Sequence, residues 1–146
     1  MTTSQRIVLD NNVLVSRLLL PKSVPGQAVR KAVDTGQLFV SDATLTELAA
    51  VLSRPKFNPY VSISDRQEFL RLLGRVAERV PITYIVHACR DPKDNMILEL
   101  AVNGSADLIV TGDQDLLVLD TFQSIPIITP VSYIEGWSGK NLPASL

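Results

Sequence analysis

Short, uninterrupted apolar runs alternate with helical patterns along this chain of 146 residues. The runs are three or four residues long and lack polar alternation, which is typical of strands covered on both faces of a parallel sheet. We predict strands at Ile7-Val8-Leu9, Leu38-Phe39-Val40, Thr83-Tyr84-Ile85-Val86, Leu108-Ile109-Val110 and Pro126-Ile127-Ile128. The sequence therefore predicts an α/β fold of three layers, αβα, around a central, mostly parallel sheet of four to five strands.

Helices are predicted between the strands from apolar spacing, capping residues and stop residues. Their predicted positions are 13–20, Pro25–Asp34, after Ser41, from Ser64 or Asp65, Asn95–Val102, Gln114–Leu117 and Pro130 to about Glu135. Gly36 and Gly104 stand where helices are expected to stop. We predict one domain over residues 1–136 and a loosely ordered tail over 137–146.

Composition excludes several classes of protein. One cysteine, Cys89, and one histidine, His87, rule out a disulfide framework and a Cys/His zinc site, and they disfavour hydrolases that need a histidine base. The chain has no run of 18 apolar residues, so we expect no membrane span. No signal peptide is recognisable, because Asp10 interrupts the first apolar run. A reducing, cytoplasmic location fits these features best.

Carboxylates remain as the chemically active groups, and their placement is unusual. Four of them come from distant parts of the chain and follow predicted strands: Asp10, Glu47, Asp94 and Asp113, with Asp115 close to the last. Ligands of open parallel sheets bind beyond the carboxyl ends of the strands, so we expect these acids to meet at one edge. At about 4 Å, each like-charge pair would cost about 4 kcal/mol in an effective dielectric of about 20. Such a cluster needs protons or a cation, and oxygen ligands suit Mg²⁺ or Mn²⁺.

Most of these acids also have a structural explanation. Asp91-Pro92-Lys93-Asp94 fits an N-cap, a proline at N1 and an acid at N3. Thr111-Gly112-Asp113-Gln114 fits a threonine N-cap with glutamine at N3. Glu47 lies roughly opposite the apolar stripe of its helix and would then face water. Asp10 differs, because it ends a buried run where neither packing nor capping calls for a charge.

Four ordered segments resemble the motifs of the PIN-domain nucleases, specifically stand-alone bacterial and archaeal proteins regarded as toxin components of toxin–antitoxin systems. They are Ile7–Ser16 (IVLDNNVLVS), Ser41–Leu48 (SDATLTEL) with Val51–Arg54 (VLSR), Asp91–Ala101 (DPKDN leading to LELA) and Ala106–Leu117 (ADLIVTGDQDLL). The resemblance runs from about residue 6 to residue 135. It implies a three-layer fold around a parallel sheet and metal-dependent endoribonuclease activity on single-stranded RNA.

Carried over by motif, the resemblance assigns roles to individual residues. The catalytic residues, which would also bind Mg²⁺ or Mn²⁺, would be Asp10, Glu47, Asp94 and Asp113. Asp115 would be a further metal ligand. Asn12 and Thr111 would support the acids through hydrogen bonds. The resemblance also implies an antitoxin protein and a homodimer as partners. Removing the four acids changes the net charge from −1 to +3, so the rest of the chain is mildly basic.

Arginines recur every four residues, at Arg71, Arg75 and Arg79, on what is predicted to be one helix face. They would either bind RNA phosphates or form a solvated face with Glu68 and Glu78.

Three other classes of protein are alternatives to a nuclease. A phosphoacceptor receiver domain would need adjacent acids after the first strand, where Asn11 and Asn12 stand. A phosphomonoesterase with Asp10 as nucleophile would need an acid at position 12. A non-catalytic PIN-like module that binds RNA or protein stays open as the alternative function.

Overall fold

A six-stranded sheet forms the centre of the computed structural model, which describes residues 4–136. Its strands are β1 (Gln5–Leu9), β2 (Gly36–Val40), β3 (Glu78–Arg79), β4 (Leu108–Val110), β5 (Thr121–Phe122) and β6 (Ile125–Ile128). The order is β3-β2-β1-β4-β6-β5, and all neighbours are parallel except β5 and β6. The predicted α/β class with a mostly parallel sheet is confirmed, although the sheet has six strands rather than four to five.

Helices cover the sheet and begin at side chains that cap them. They are α1 (Asn11–Leu19), α2 (Val24–Thr35), α3 (Asp42–Leu52), α4 (Ile63–Val76), α5 (Pro92–Asn103), α6 (Gln114–Leu117) and α7 (Pro130–Ile134), with a 3₁₀ turn at Pro55–Phe57. Ser41, for example, accepts a hydrogen bond from the Thr44 amide and forms a capping box with it. Gly36 and Gly104 end α2 and α5, as predicted. Within residues 4–136, no helix is both long and apolar enough to cross a membrane.

The sheet separates two apolar clusters, which form the layers of the fold. In β1, Ile7 and Leu9 face the cluster covered by α1, α2, α3, α4 and α7, whereas Val8 faces the cluster built with α5 and α6. All three side chains are buried. This two-sided burial explains why the strand sequence is apolar without alternation.

The segment predicted as a strand at Thr83–Val86 is not one. It has no regular secondary structure, and its backbone is bound by the side chains of α5 instead of by a neighbouring strand. The Asn103 side chain accepts bonds from the amides of Thr83 and Tyr84, both at 2.9 Å, and the Glu99 carboxylate accepts one from Val86 at 2.9 Å. The apolar run was misleading because only Val86 is buried, while Tyr84 is 55% exposed.

One edge of the sheet is formed by β3, which was not predicted from sequence. Only Ala77 separates its two residues from α4, so the helix ends at Val76 and Arg79 does not continue the arginine row on a helix face. Arg79 instead lies in β3 and pairs with Asp42 at 3.4 Å. The predicted tail at 137–146 lies outside the described residues.

Replacing Asn103 with alanine is expected to destabilise the fold, because the backbone of residues 83 and 84 loses its partner on α5. Two lost hydrogen bonds of this kind correspond to about 1–2 kcal/mol of unfolding free energy. Urea denaturation measures the loss, with the exposed α4 residue Gln67 changed to alanine as a control that stays within about 0.5 kcal/mol of wild type. Equal stability of the two variants would contradict the anchoring role of Asn103.

Candidate active site

The strand order reverses between β1 and β4, and the candidate site lies at the carboxyl ends of these two strands. The chain runs from β1 outward to β2 and β3, and returns to place β4 on the other side of β1. Leu9 pairs with Val110, and the Asp10 amide donates to the Val110 carbonyl at 3.0 Å. Such a reversal is where open α/β sheets bind their ligands.

Asp10 is buried at this point and is held by two groups. The Thr111 hydroxyl donates to Asp10 Oδ2 at 2.7 Å, and the Asn12 amide donates to Oδ1 at 3.4 Å. Asp10 therefore caps α1, a role that sequence analysis did not give it. Burial raises the pKa of Asp10 above its ordinary value, and the hydrogen bond from Thr111 acts in the opposite direction.

Thr111 also fixes the next acid in the site. Its hydroxyl oxygen accepts a hydrogen bond from the Asp113 amide at 3.0 Å, and the side chain is fully buried. The predicted cap at this helix was wrong, because Asp113 rather than Thr111 caps α6 by accepting the Asp115 amide at 2.9 Å. One threonine hydroxyl thus joins Asp10 to the segment that carries Asp113.

Three carboxylates are close enough to hold one cation. Oxygens of Asp94, Asp113 and Asp115 all lie within 4.8 Å of one another. Asp94 is only 5% exposed, and its pKa is raised to about 7, first by burial and then by the adjacent Asp113 carboxyl. A set of oxygen ligands with this mutual repulsion fits a hard divalent cation such as Mg²⁺ or Mn²⁺.

The four predicted catalytic residues line one cleft of about 230 Å³. Its walls are formed by Asp10, Asn11, Asn12, Glu47, Val51, Arg54, Asp91, Lys93, Asp94 and Asp113. Glu47 reaches it from α3, and its side chain is 20% exposed. The carboxylates that sequence analysis placed at one sheet edge therefore do face a common space.

Arg71 and Arg75 do not line this cleft. Both lie on the exposed side of α4, and Arg71 is paired with Glu68. Their role in RNA binding stays a prediction, and the pairing with Glu68 agrees with the description of a solvated face.

Three further residues that line the cleft were not predicted from sequence: Asn11, Arg54 and Lys93. Asn11 is buried and donates to the Thr44 carbonyl at 3.0 Å, which ties α1 to α3 beneath the cleft. Lys93 places its Nζ 3.3 Å from Glu47 Oε1. A signal existed for Lys93, since it is a cation within the first turn of a helix, where the dipole disfavours positive charge.

Replacing Thr111 with valine is expected to destabilise the protein, because Asp10 Oδ2 loses a buried partner and the Asp113 amide a partly buried one. The expected loss is about 2 kcal/mol of unfolding free energy, measured by urea denaturation. Thr111→Ser keeps the hydroxyl and is expected to lose less. A valine variant as stable as wild type would show that the bridge contributes nothing.

Metal-free protein is expected to lose stability as pH rises from about 4 to about 7, because folded Asp94 keeps a proton that the unfolded chain releases at its lower pKa. Asp94→Asn removes this dependence and is expected to be more stable than wild type at pH 8 by about 1–3 kcal/mol. Urea denaturation with EDTA at pH 5 and pH 8 measures both proteins. Parallel pH profiles for the two proteins would contradict the assignment.

Comparisons with known proteins identify the family of the chain. A PIN domain family (PIN_3) matches residues 6–115. The uncharacterized protein MJ1680 of Methanocaldococcus jannaschii is 28% identical over 116 residues, which cover 78% of this chain and 74% of that protein.

Solved structures with a similar fold include the following two. VapBC2 from Rickettsia felis, bound to a DNA fragment from its promoter, superposes with a TM-score of 0.58 at 12% identity, over 86% of this chain and 98% of that chain. The PIN domain endonuclease Utp24 superposes with a TM-score of 0.53 at 18% identity, over 85% of this chain and 84% of that chain. Because the family match covers most of the chain, this protein belongs to the PIN domain family of nucleases.

Proposed function

We propose that this protein is a divalent-metal-dependent endoribonuclease that hydrolyses phosphodiester bonds of single-stranded RNA. The observation that carries the proposal is the convergence of Asp10, Glu47, Asp94 and Asp113 on one cleft at the reversal of strand order. These acids come from four separate segments, and their repulsion is a cost that a structural role alone would not require.

Asp94, Asp113 and Asp115 would hold Mg²⁺ or Mn²⁺, and Asp10 and Glu47 would complete its surroundings from the other walls of the cleft. When bound, the cation supplies activation of water and neutralisation of the charge that develops on the phosphate. The chain's own residues position the carboxylates. The Thr111 hydroxyl orients Asp10, and the Asp115 amide holds the Asp113 carboxylate.

The cleft has room for a short stretch of nucleic-acid backbone. At about 230 Å³ it is smaller than most ligand pockets, which fits one phosphodiester with its flanking sugars. Arg54 and Lys93 on its walls would attract phosphates, while Asn12 offers a polar group beside Asp10. Arg71 and Arg75 would add a more distant attraction from α4.

We further propose that the protein is the toxin of a toxin–antitoxin pair, inhibited by an antitoxin protein and active as a homodimer in the cytoplasm. The resemblance of four motifs to stand-alone toxin components supports this role, as does the shared fold with VapBC2. A single cysteine agrees with a reducing compartment.

Cleavage of labelled single-stranded RNAs by purified protein with Mn²⁺, Mg²⁺ or EDTA tests the nuclease. We expect metal-dependent cleavage that Asp10→Asn lowers by about 100-fold or more, the scale of loss when a preorganised charge-stabilising group is removed. Asp120→Asn is the matched control, because Asp120 is an exposed acid that does not line the cleft. Its activity is expected to stay within about twofold of wild type.

Absence of cleavage with every metal, together with absence of Mn²⁺ binding in calorimetry, would contradict the nuclease. That outcome would favour the alternative function, a non-catalytic PIN-like module that binds RNA or protein. Equal loss of activity in Asp10→Asn and Asp120→Asn would show that the cleft is not the catalytic centre.

A further inference from the structure

Lys93 stands where helix stability alone would not place a lysine. It lies in the first turn of α5, between the capping Asp91 and the buried Asp94. Its amide donates to Asp91 Oδ1 at 2.9 Å, so its backbone position is fixed by the cap. A cation at the start of a helix opposes the helix dipole. The side chain therefore needs another explanation, and its contact with Glu47 supplies one.

The contact joins the two walls of the cleft. Lys93 Nζ lies 3.3 Å from Glu47 Oε1, with side chains that are 54% and 20% exposed, respectively. Glu47 is thus the more enclosed partner, and Lys93 reaches it from the solvent side. A lysine has a flexible stem and a compact charge, so it can leave such a pair without disturbing the backbone.

We propose that Lys93 is a movable counter-ion for Glu47. In the metal-free protein its ammonium neutralises Glu47, and in the metal-loaded protein it leaves Glu47 and contacts a phosphate oxygen of the RNA beside the scissile bond. Only the second part of this inference, the contact with an RNA phosphate, rests on the proposed nuclease function. Lys93 is accordingly a positioning residue, which acts on metal affinity through Glu47 and on RNA through one phosphate.

The physical basis is competition between two cations for one carboxylate. A divalent cation within the cleft repels the Lys93 ammonium and offers Glu47 a stronger partner. Bound RNA then brings a new negative charge to the place where the displaced ammonium lies. Arg54 lines the same cleft but forms no ion pair within residues 4–136, so it provides a matched cation without this competition.

Calorimetric titration with Mn²⁺ alone tests the competition without any cleavage. Lys93→Met is expected to bind Mn²⁺ about two- to fivefold more tightly than wild type, the scale set by loss of a half-exposed ion pair. Lys93→Arg keeps the pair and is expected to match wild type. Arg54→Met is expected to change affinity by less than about twofold, because it removes a charge but no pair. Unchanged or weaker Mn²⁺ binding by Lys93→Met, or equal tightening by Arg54→Met, would overturn the proposal.

Steady-state cleavage at several salt concentrations tests the phosphate contact. Lys93→Met is expected to raise KM severalfold while kcat stays within about twofold, as for a contact made equally in ground and transition states. The slope of log(kcat/KM) against log[salt] is expected to become shallower by about 0.7, the value for one contact to a single strand. A fall in kcat at constant KM, or an unchanged salt slope, would overturn this half.

The two proposals fail in different ways. Wild type that binds Mn²⁺ but cuts none of the tested RNAs would give the nuclease no support, while the calorimetric comparison would still decide whether Lys93 competes for Glu47. Wild type that cuts RNA while all variants bind Mn²⁺ equally would leave the nuclease standing and remove the counter-ion.

Discussion

β1 and β4 run side by side in parallel, and the register of this pairing brings Asp10 and Thr111 together at their carboxyl ends. The two residues are 101 positions apart in sequence, yet the Thr111 hydroxyl donates to Asp10 at 2.7 Å and accepts the Asp113 amide. A slip of the pairing by one residue would turn the side chains of one strand to the opposite face and separate these groups. The position of the whole carboxylate cluster therefore depends on the packing that fixes this register, with Ile7 and Val8 buried on opposite faces.

The parts of the fold that could be predicted from sequence are those decided by local patterns. Continuous apolar runs identified β1, β2 and β4, because strands covered on both faces leave no room for polar residues. Serine and glycine positions identified helix boundaries at Ser41, Gly36 and Gly104. For Asp10, Glu47 and Asp113 the common cleft followed from a rule about parallel sheets, since each comes soon after a strand or in the helix that follows it. The prediction for Asp94 relied on a strand at Thr83–Val86 that the structure does not contain.

What could not be predicted depends on partners distant in sequence. Thr83–Val86 has the composition of a strand, but the side chains of Glu99 and Asn103 on α5 satisfy its backbone, and nothing local to the run reveals that. β3 was missed because only two residues pair with β2, and these are the charged Glu78 and Arg79. The pairing of Lys93 with Glu47 joins α5 to α3, and only the assembled walls of the cleft show it.

Structural and functional explanations of the acids are compatible, because the same contacts serve both. Asp10 and Asp113 cap α1 and α6 and also line the acidic cleft, so helix amides stabilise two carboxylates that the other acids of the cleft repel. Glu47 and Asp94 cap no helix, and each is stabilised differently: Glu47 by the Lys93 ammonium, and Asp94 by a pKa raised to about 7, which favours a retained proton. A divalent cation in the cleft would replace both the Lys93 ammonium and the proton on Asp94. If a divalent cation fills the cleft as proposed, Glu47 and Asp94 are the acids whose charge balance changes most, and Lys93 of α5 lies beside Glu47.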